Sequence, residues 1–185
     1  AMAKWCAWAP KVLEPLSQDG EAPLENADLD FSNNAIEDAG LKTLVALLRR
    51  CNVHCASINL DHNRLTDQSL ISLSDLIADF RLPLWELRME HNRIQGAHGV
   101  VHLARRLQAH ALYPVYRQDY KRYTPLLLRL AENLIQQPLS TTQLLREILG
   151  TMPCLAEERR FWDKKLQCPA MQLPDFERQR SPALP

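Results

Sequence analysis

Two histidines, His62 and His91, stand 29 residues apart, and each directly follows an acid, Asp61 and Glu90. Two imidazoles and two carboxylates brought together would suit a tetrahedral zinc ion. The simpler reading is exposed polar side chains or contacts for a partner. It is the one adopted, and no metal or other cofactor is expected. Cys51-Asn52-Val53-His54-Cys55 resembles a metal knuckle. No second cysteine pair lies at a supporting distance, so a place in the core is preferred for Cys55. A third group is aromatic and basic. Tyr113, Tyr116, Tyr120 and Tyr123 are all the tyrosines of the chain, and Arg117, Lys121 and Arg122 are interleaved with them. Such a mixture can anchor a protein partner, stack on single-stranded nucleic acid, or fold back on its own domain. These three readings stay open at the level of sequence. With Pro114 at the first position of a helix, Tyr116, Tyr120 and Tyr123 would share a face at i, i+4 and i+7, and that helix is the expectation.

Recognisable catalytic spacings are missing. There is no glycine-rich phosphate loop, no His-Glu-x-x-His helix and no Gly-x-Ser-x-Gly elbow, so a non-catalytic protein is expected. The chain has 185 residues, enough for one domain with tails. Lys+Arg and Asp+Glu number 22 each, which argues against a protein built mainly to coat phosphate backbones. The five cysteines form no even framework, and the N-terminus lacks a basic region followed by an apolar core. An intracellular, reducing location (cytoplasm or nucleus) is the expectation. No apolar run approaches the ~20 residues of a membrane span, so no membrane association is expected.

The elements that would hold these groups follow from a repeat. Four segments fit one template: apolar, any, apolar, any, any, Asn, any, apolar. They are Leu29, Phe31, Asn34, Ile36; Ile58, Leu60, Asn63, Leu65; Leu87, Met89, Asn92, Ile94; and Leu128, Leu130, Asn133, Ile135. The first three asparagines are spaced by 29, and the last gap of 41 is that period plus 12. Over about residues 25–150 the chain resembles the leucine-rich repeat family, and the period is most similar to its ribonuclease-inhibitor-like branch. The resemblance implies an α/β fold, a leucine-rich repeat solenoid: a short arc of parallel strands backed by helices, with helical caps. It also implies that Asn34, Asn63, Asn92 and Asn133 form a hydrogen-bonded ladder between repeats.

The residues support this independently. The Leu-x-Leu alternation puts both apolar chains on one strand face. An Asn at the following turn can bond the backbone groups that the turn leaves unpaired. Helical stripes come next: Leu41, Leu44, Val45, Leu48; Leu70, Leu73, Ile77; Val100, Leu103, Ala104, Leu107; and Leu144, Leu145, Ile148, Leu149. The expected organisation is an N-terminal cap over 1–24, built on Trp5, Trp8, Val12, Leu13 and Leu16; four repeats over 25–150, with an insertion at about 112–123; a capping helix over 151–168, with Leu155, Trp162 and Leu166 on one side; and a Pro-rich tail or linker over 169–185. Arg180-Ser181-Pro182 fits a phosphorylation site, a short match that arises easily by chance.

Side chains between the apolar positions would face the concave surface. Among them are Asp30, Asn59, Asp61, His62, Arg88, Glu90, His91 and Arg129. Over the whole surface six acids stand against two arginines, which suits a basic or mixed peptide rather than phosphates. The expected function is a non-catalytic protein-interaction scaffold, part of a larger intracellular protein or complex. The alternative is an RNA-associated module using the insertion. A third reading, a GTPase activator, comes only from one relative in the family, and no motif here asks for it. A protein partner is expected and nucleic acid is the second option; oligomeric state is left open.

Overall fold

The computed structural model describes residues 24–158 and 160–180. The expected cap residues Trp5 to Leu16, and Ser181-Pro182, lie outside them. In chain order the elements are β1 (Leu24–Asp30), α1 (Asp38–Arg50), β2 (Val53–Asn59), α2 (Asp67–Ala78), β3 (Glu86–Arg88), α3 (His98–Ala109), β4 (Val115–Arg117), β5 (Arg122–Thr124), β6 (Leu126–Arg129), α4 (Pro138–Leu149) and β7 (Met171–Gln172), with a 3-10 turn at Lys165–Gln167 before the last strand. The fold is α/β. One five-stranded sheet runs in the order β1-β2-β3-β6-β7, and all its pairs are parallel. Asp30 pairs with Asn59, Asn59 with Arg88, and Arg88 with Arg129, so four template segments lie side by side in one register.

The template's apolar positions form the core. Ile58, Leu60, Leu87, Met89, Leu128 and Leu130 are buried in one cluster with Leu41, Leu44, Leu70, Leu73, Val100 and Leu103 of the helices. Parallel strands need crossover connections, and each helix supplies one while covering the same sheet face. The helix ends follow sequence signals. Thr66 caps α2 with its hydroxyl, Pro138 opens α4, and Gly150 closes α4 at φ 68°. The α4 stripe is only partly met. Leu145 is buried together with Thr141 and Thr142, whereas Leu144 is 39% exposed, because among the described residues no further helix covers its far side.

The asparagines do bridge neighbouring strands. Asn63 accepts from the backbone N–H groups of Asn34 and Ile36 and donates to the carbonyls of Phe31 and Leu60. Asn92 accepts from Leu65 and donates to Leu60; Asn133 accepts from Ile94 and donates to Met89 and Leu130. Asn34, in the first strand's turn, donates to Ser32 of its own turn; the segment preceding β1 lies outside the described residues. A second set of polar links ties the helix starts. Asp38 accepts from the Thr66 amide and hydroxyl and from the Ser69 hydroxyl, and Asp67 accepts from the Gln95 and Gly96 amides.

Burial pushes the Asp38 carboxyl up, but the bonds from Ser69 and Thr66 outweigh it and the net direction is down. A carboxyl held below its ordinary value stabilises the fold above that value, and the contribution is lost as pH falls through the lowered one. Asp38→Asn should therefore cost about 1–3 kcal/mol at pH 7 and much less near pH 2.5. Urea titrations of both chains at the two pH values measure it; an equal cost at both would refute the assignment.

Helices α2 and α3 approach closely at Gly99. A Cβ there would stand 3.0 Å from the Asp67 carbonyl oxygen and 3.1 Å from Leu70 Cβ. Gly99→Val should cost at least about 1–3 kcal/mol by overpacking, read from the denaturation midpoint. A neutral result would mean the two helices separate freely.

Three expectations are corrected. The insertion is not a helix begun at Pro114. It is an antiparallel hairpin of β4 and β5 pairing Tyr116 with Tyr123. Val115, Tyr116, Tyr123 and Thr124 are strand formers, and the turn places Lys121 at φ 51°, so alternation overrides the helical spacing of the tyrosines. Residues 151–168 form no capping α-helix. Cys154 bridges to Gln172, Trp162 to Tyr123, and Leu166 is 89% exposed. The spacing of Leu155, Trp162 and Leu166 imitates a helix face, but the backbone around them is engaged by strands. The stretch 169–180 is not a loose tail. Met171 and Gln172 pair with β6, and Met171, Leu173 and Phe176 are buried. Pro169 and Pro174 flank that pairing, a placement an edge strand tolerates.

Candidate functional site

The sheet face turned away from the helices carries the side chains between the apolar positions. Asp30, Asn59, Arg88 and Arg129 occupy one row across β1, β2, β3 and β6. Asp28, Ser57, Glu86, Leu127 and Gln172 form the row beside it and continue onto β7. Charges on this face are largely paired within it. Asp61 is buried and accepts from Arg88 Nε at 2.8 Å and from the Glu90 amide at 2.8 Å, while Arg129 Nε donates to Glu86 at 3.0 Å. Asp61 therefore fixes Arg88 and the turn and is not free to meet a ligand. Glu90 is pushed up by burial first and by the Asp61 charge second. Asp30, at the β1 end, is held below its ordinary value by the Ser32 amide and hydroxyl. Ser57 donates to Asp28 at 2.6 Å. A hollow of about 360 Å³ opens here over Asp28, Asp30, Asn59, Glu86 and Arg88.

His62 and His91 are brought together as expected, but as a stack. Their rings are 4.1 Å apart and 11° from parallel. Asn33, His62, His91 and Glu132 all have left-handed backbone, φ 54–57°. That conformation ends each strand and aims each amide at the next segment: Asn33 N–H donates to Asp61 O, His62 to Glu90 O, His91 to Ala131 O, and Glu132 to Arg178 O. Asparagine adopts it readily and the others do so at some cost. Among the described residues, no group of three or more His, Cys, Asp or Glu is placed to hold a metal ion. Cys55 is buried in the core with its thiol pushed up to about 12 by burial, so it stays a neutral thiol.

The insertion residues divide. Tyr113 is buried, donates its hydroxyl to the Leu84 carbonyl at 3.0 Å, and has its phenol pushed up by burial. It is a packing residue, which only the structural reading foresaw. Tyr116 and Tyr120 are 49% and 56% exposed. The rings of Tyr116 and Tyr123 meet at 5.1 Å on the hairpin. Lys121 lies exposed in the turn, and Arg122 pairs with Asp163 at 3.0 Å. Arg117 lies 4.4 Å over the Trp85 ring and 5.5 Å from the Tyr120 ring, paired to Asp119 at 3.0 Å.

Arg117 marks a cleft that the sequence reading missed. About 160 Å³ in volume, it is walled by Trp85, Tyr120 and Phe161, carries Arg117 and Arg160, and is floored by Leu127 and Gln172 of the outward row. Tyr120 and Phe161 stand 4.8 Å apart. The segment bearing Phe161 and Arg160 is fixed beside the hairpin because Tyr123 and Trp162 exchange two backbone bonds, at 2.7 and 3.0 Å. Gln172 holds it from below by donating to the Ala156 and Glu158 carbonyls. One signal is present in the sequence: two residues before its template segment the third repeat has Trp85 where the second has Ala56, an aromatic where a small residue suffices. Phe161 and Arg160 gave no such signal.

Compared with known proteins, the chain matches no family model and no curated protein.

Proposed function

We propose that this chain is a leucine-rich repeat solenoid that does no chemistry of its own and serves as a protein-interaction scaffold, grasping its partner on the outward strand face and the adjoining hairpin cleft. The solenoid reading is supported by the 29-residue period, the common strand register and the asparagine bonds between neighbouring segments. One observation carries the functional reading: the outward face presents rows of side chains held in place by their own ion pairs, and its Leu127 and Gln172 end line a cleft of aromatics and arginines. Ordered side chains lose little entropy on binding, and Tyr, Trp and Arg are the residue types that dominate interface energies.

Nucleic acid is the weaker reading. The hairpin supplies stacking rings and cations, but any strand longer than the cleft would run over Asp28, Asp30 and Glu86, and the arginines on that path, Arg88 and Arg129, are already paired to Asp61 and Glu86. An affinity purification of the full chain, with and without nuclease, separates the two. Co-purifying protein is expected to survive nuclease and to be lost when Asp30→Lys and Tyr120→Ala are combined. Recovery that depends on nucleic acid, or that ignores both substitutions, would refute the proposal.

A further inference from the structure

The outward face has opposite electrical ends. At the β1 edge Asp28 and Asp30 are hydrogen-bonded by serine groups, and the nearest cation, Arg88, is itself paired to Asp61. At the hairpin end the cleft carries two guanidinium groups and no carboxylate in its lining. Among the described residues Arg160 has no acidic partner, and Arg117 shares the exposed Asp119. The rings do not form a cage awaiting a ligand ammonium, because Arg117 already fills the cation position over Trp85. What remains unsatisfied is positive charge against an aromatic wall, in a space of about 160 Å³. That space holds several waters, which suits a carboxylate side chain with part of its backbone.

We propose that the hairpin cleft is the anion-reading subsite of the strand face, and that it takes an Asp or Glu side chain of an extended peptide whose basic residue lies over Asp28 and Asp30. This rests on the interaction reading above and adds the chemistry and spacing of the ligand. The row from Asp28 to Leu127 and Gln172 crosses three and then four strand intervals. At ~4.8 Å per interval the two ends are about 14–19 Å apart. An extended chain advances about 3.3 Å per residue, so the acid and the base in the ligand are about five residues apart. A polyanion fails this test because its charges recur every few ångströms and would meet the acids within about two Debye lengths.

The experiment uses three synthetic ten-residue peptides in a Ser/Gly background and the full chain labelled with ¹⁵N. One carries Glu-Tyr and Lys-Lys with Glu five positions from the nearer Lys, one has the same composition with the pairs adjacent, and one replaces Glu by Lys. Titrations follow the side-chain Nε–H signals of Arg117 and Arg160. The spaced peptide is expected to bind at least about tenfold tighter than its compact isomer and to shift both signals. Arg160→Glu, at an exposed position, is expected to reverse the preference between the spaced and all-basic peptides. Equal binding of the isomers, no response to Arg160→Glu, no binding at all, or displacement of the spaced peptide by heptauridylate would each overturn the subsite. If the all-basic peptide engages the strand face while the arginine signals stay still, the subsite falls and the scaffold reading stands. The scaffold reading fails separately, through the purification described for it.

Discussion

A chain ended after Cys168 is expected not to fold cooperatively. The segment it lacks has the composition of a linker, with Pro169, Pro174, Pro182 and Pro185. In the structure that segment supplies the fifth strand and buries Met171, Leu173 and Phe176 to 1% exposure or less. Each such side chain is worth about 1.5–3 kcal/mol, so the three together match much of the roughly 5–15 kcal/mol by which a typical domain is stable. The polar losses add to this. Gln179 would no longer donate to the Leu130 carbonyl or accept from the Asn133 amide. The edge of β6 would also be opened, with Leu126 and Leu127 beside it. Urea denaturation followed by circular dichroism should show a broad, weak transition or none. Phe176→Ala is the graded version, with an expected cost of about 3–5 kcal/mol. A truncated chain unfolding in one sharp step at the original midpoint would return this stretch to the status of a tail.

The second large effect concerns Asn133. Its side chain is fully buried, and it serves one amide and several carbonyls at once. Asn133→Ala leaves these groups without partners, at about 1–3 kcal/mol for each buried one, so a loss of about 3–5 kcal/mol is expected. Asn133→Asp keeps the shape and is expected to be worse at pH 7. The carboxylate would replace a donor that sits 2.8 Å from Met89 O and 2.9 Å from Leu130 O, so like partial charges would face each other without water. Protonation restores a donor, which means the Asp variant should gain stability as pH falls, opposite in sign to the Asp38 contribution. Chemical denaturation of both variants at pH 7 and pH 4 tests this. An Asp variant more stable than the Ala variant at pH 7 would mean the site admits water or repacks.

Periodic features were legible in the sequence. The 29-residue spacing placed Asp30, Asn59, Arg88 and Arg129 in one row, because strand alternation leaves one face for each residue once the register is set. The asparagine positions could be read for the same reason. What failed was aperiodic. The tyrosine spacing fits a helix as well as a hairpin, and only pairing partners decide between them. Leu155, Trp162 and Leu166 offered a helical interval but too few apolar neighbours to bury. Prolines in 169–180 suggested a linker, although prolines on either side of a two-residue pairing leave its ladder intact. Of the cleft, Arg117 and Tyr120 are legible in the sequence, whereas Trp85, Arg160 and Phe161 come from two other stretches of chain. No local pattern links such residues, since the closing of the hairpin against the 160–163 segment is what brings them together.

Most polar ties between neighbouring segments join residues 27 to 32 positions apart, so each can form as soon as the following strand exists. Arg180 is different. Its amide donates to the Asn133 carbonyl and its guanidinium to the Asn92 carbonyl, 88 positions upstream. On a ribosome the strands can therefore assemble one after another, but the clasp over the third and fourth turns cannot close until residue 180 has emerged. The margin of β6 is covered somewhat earlier, once Met171 and Gln172 have emerged to pair with it.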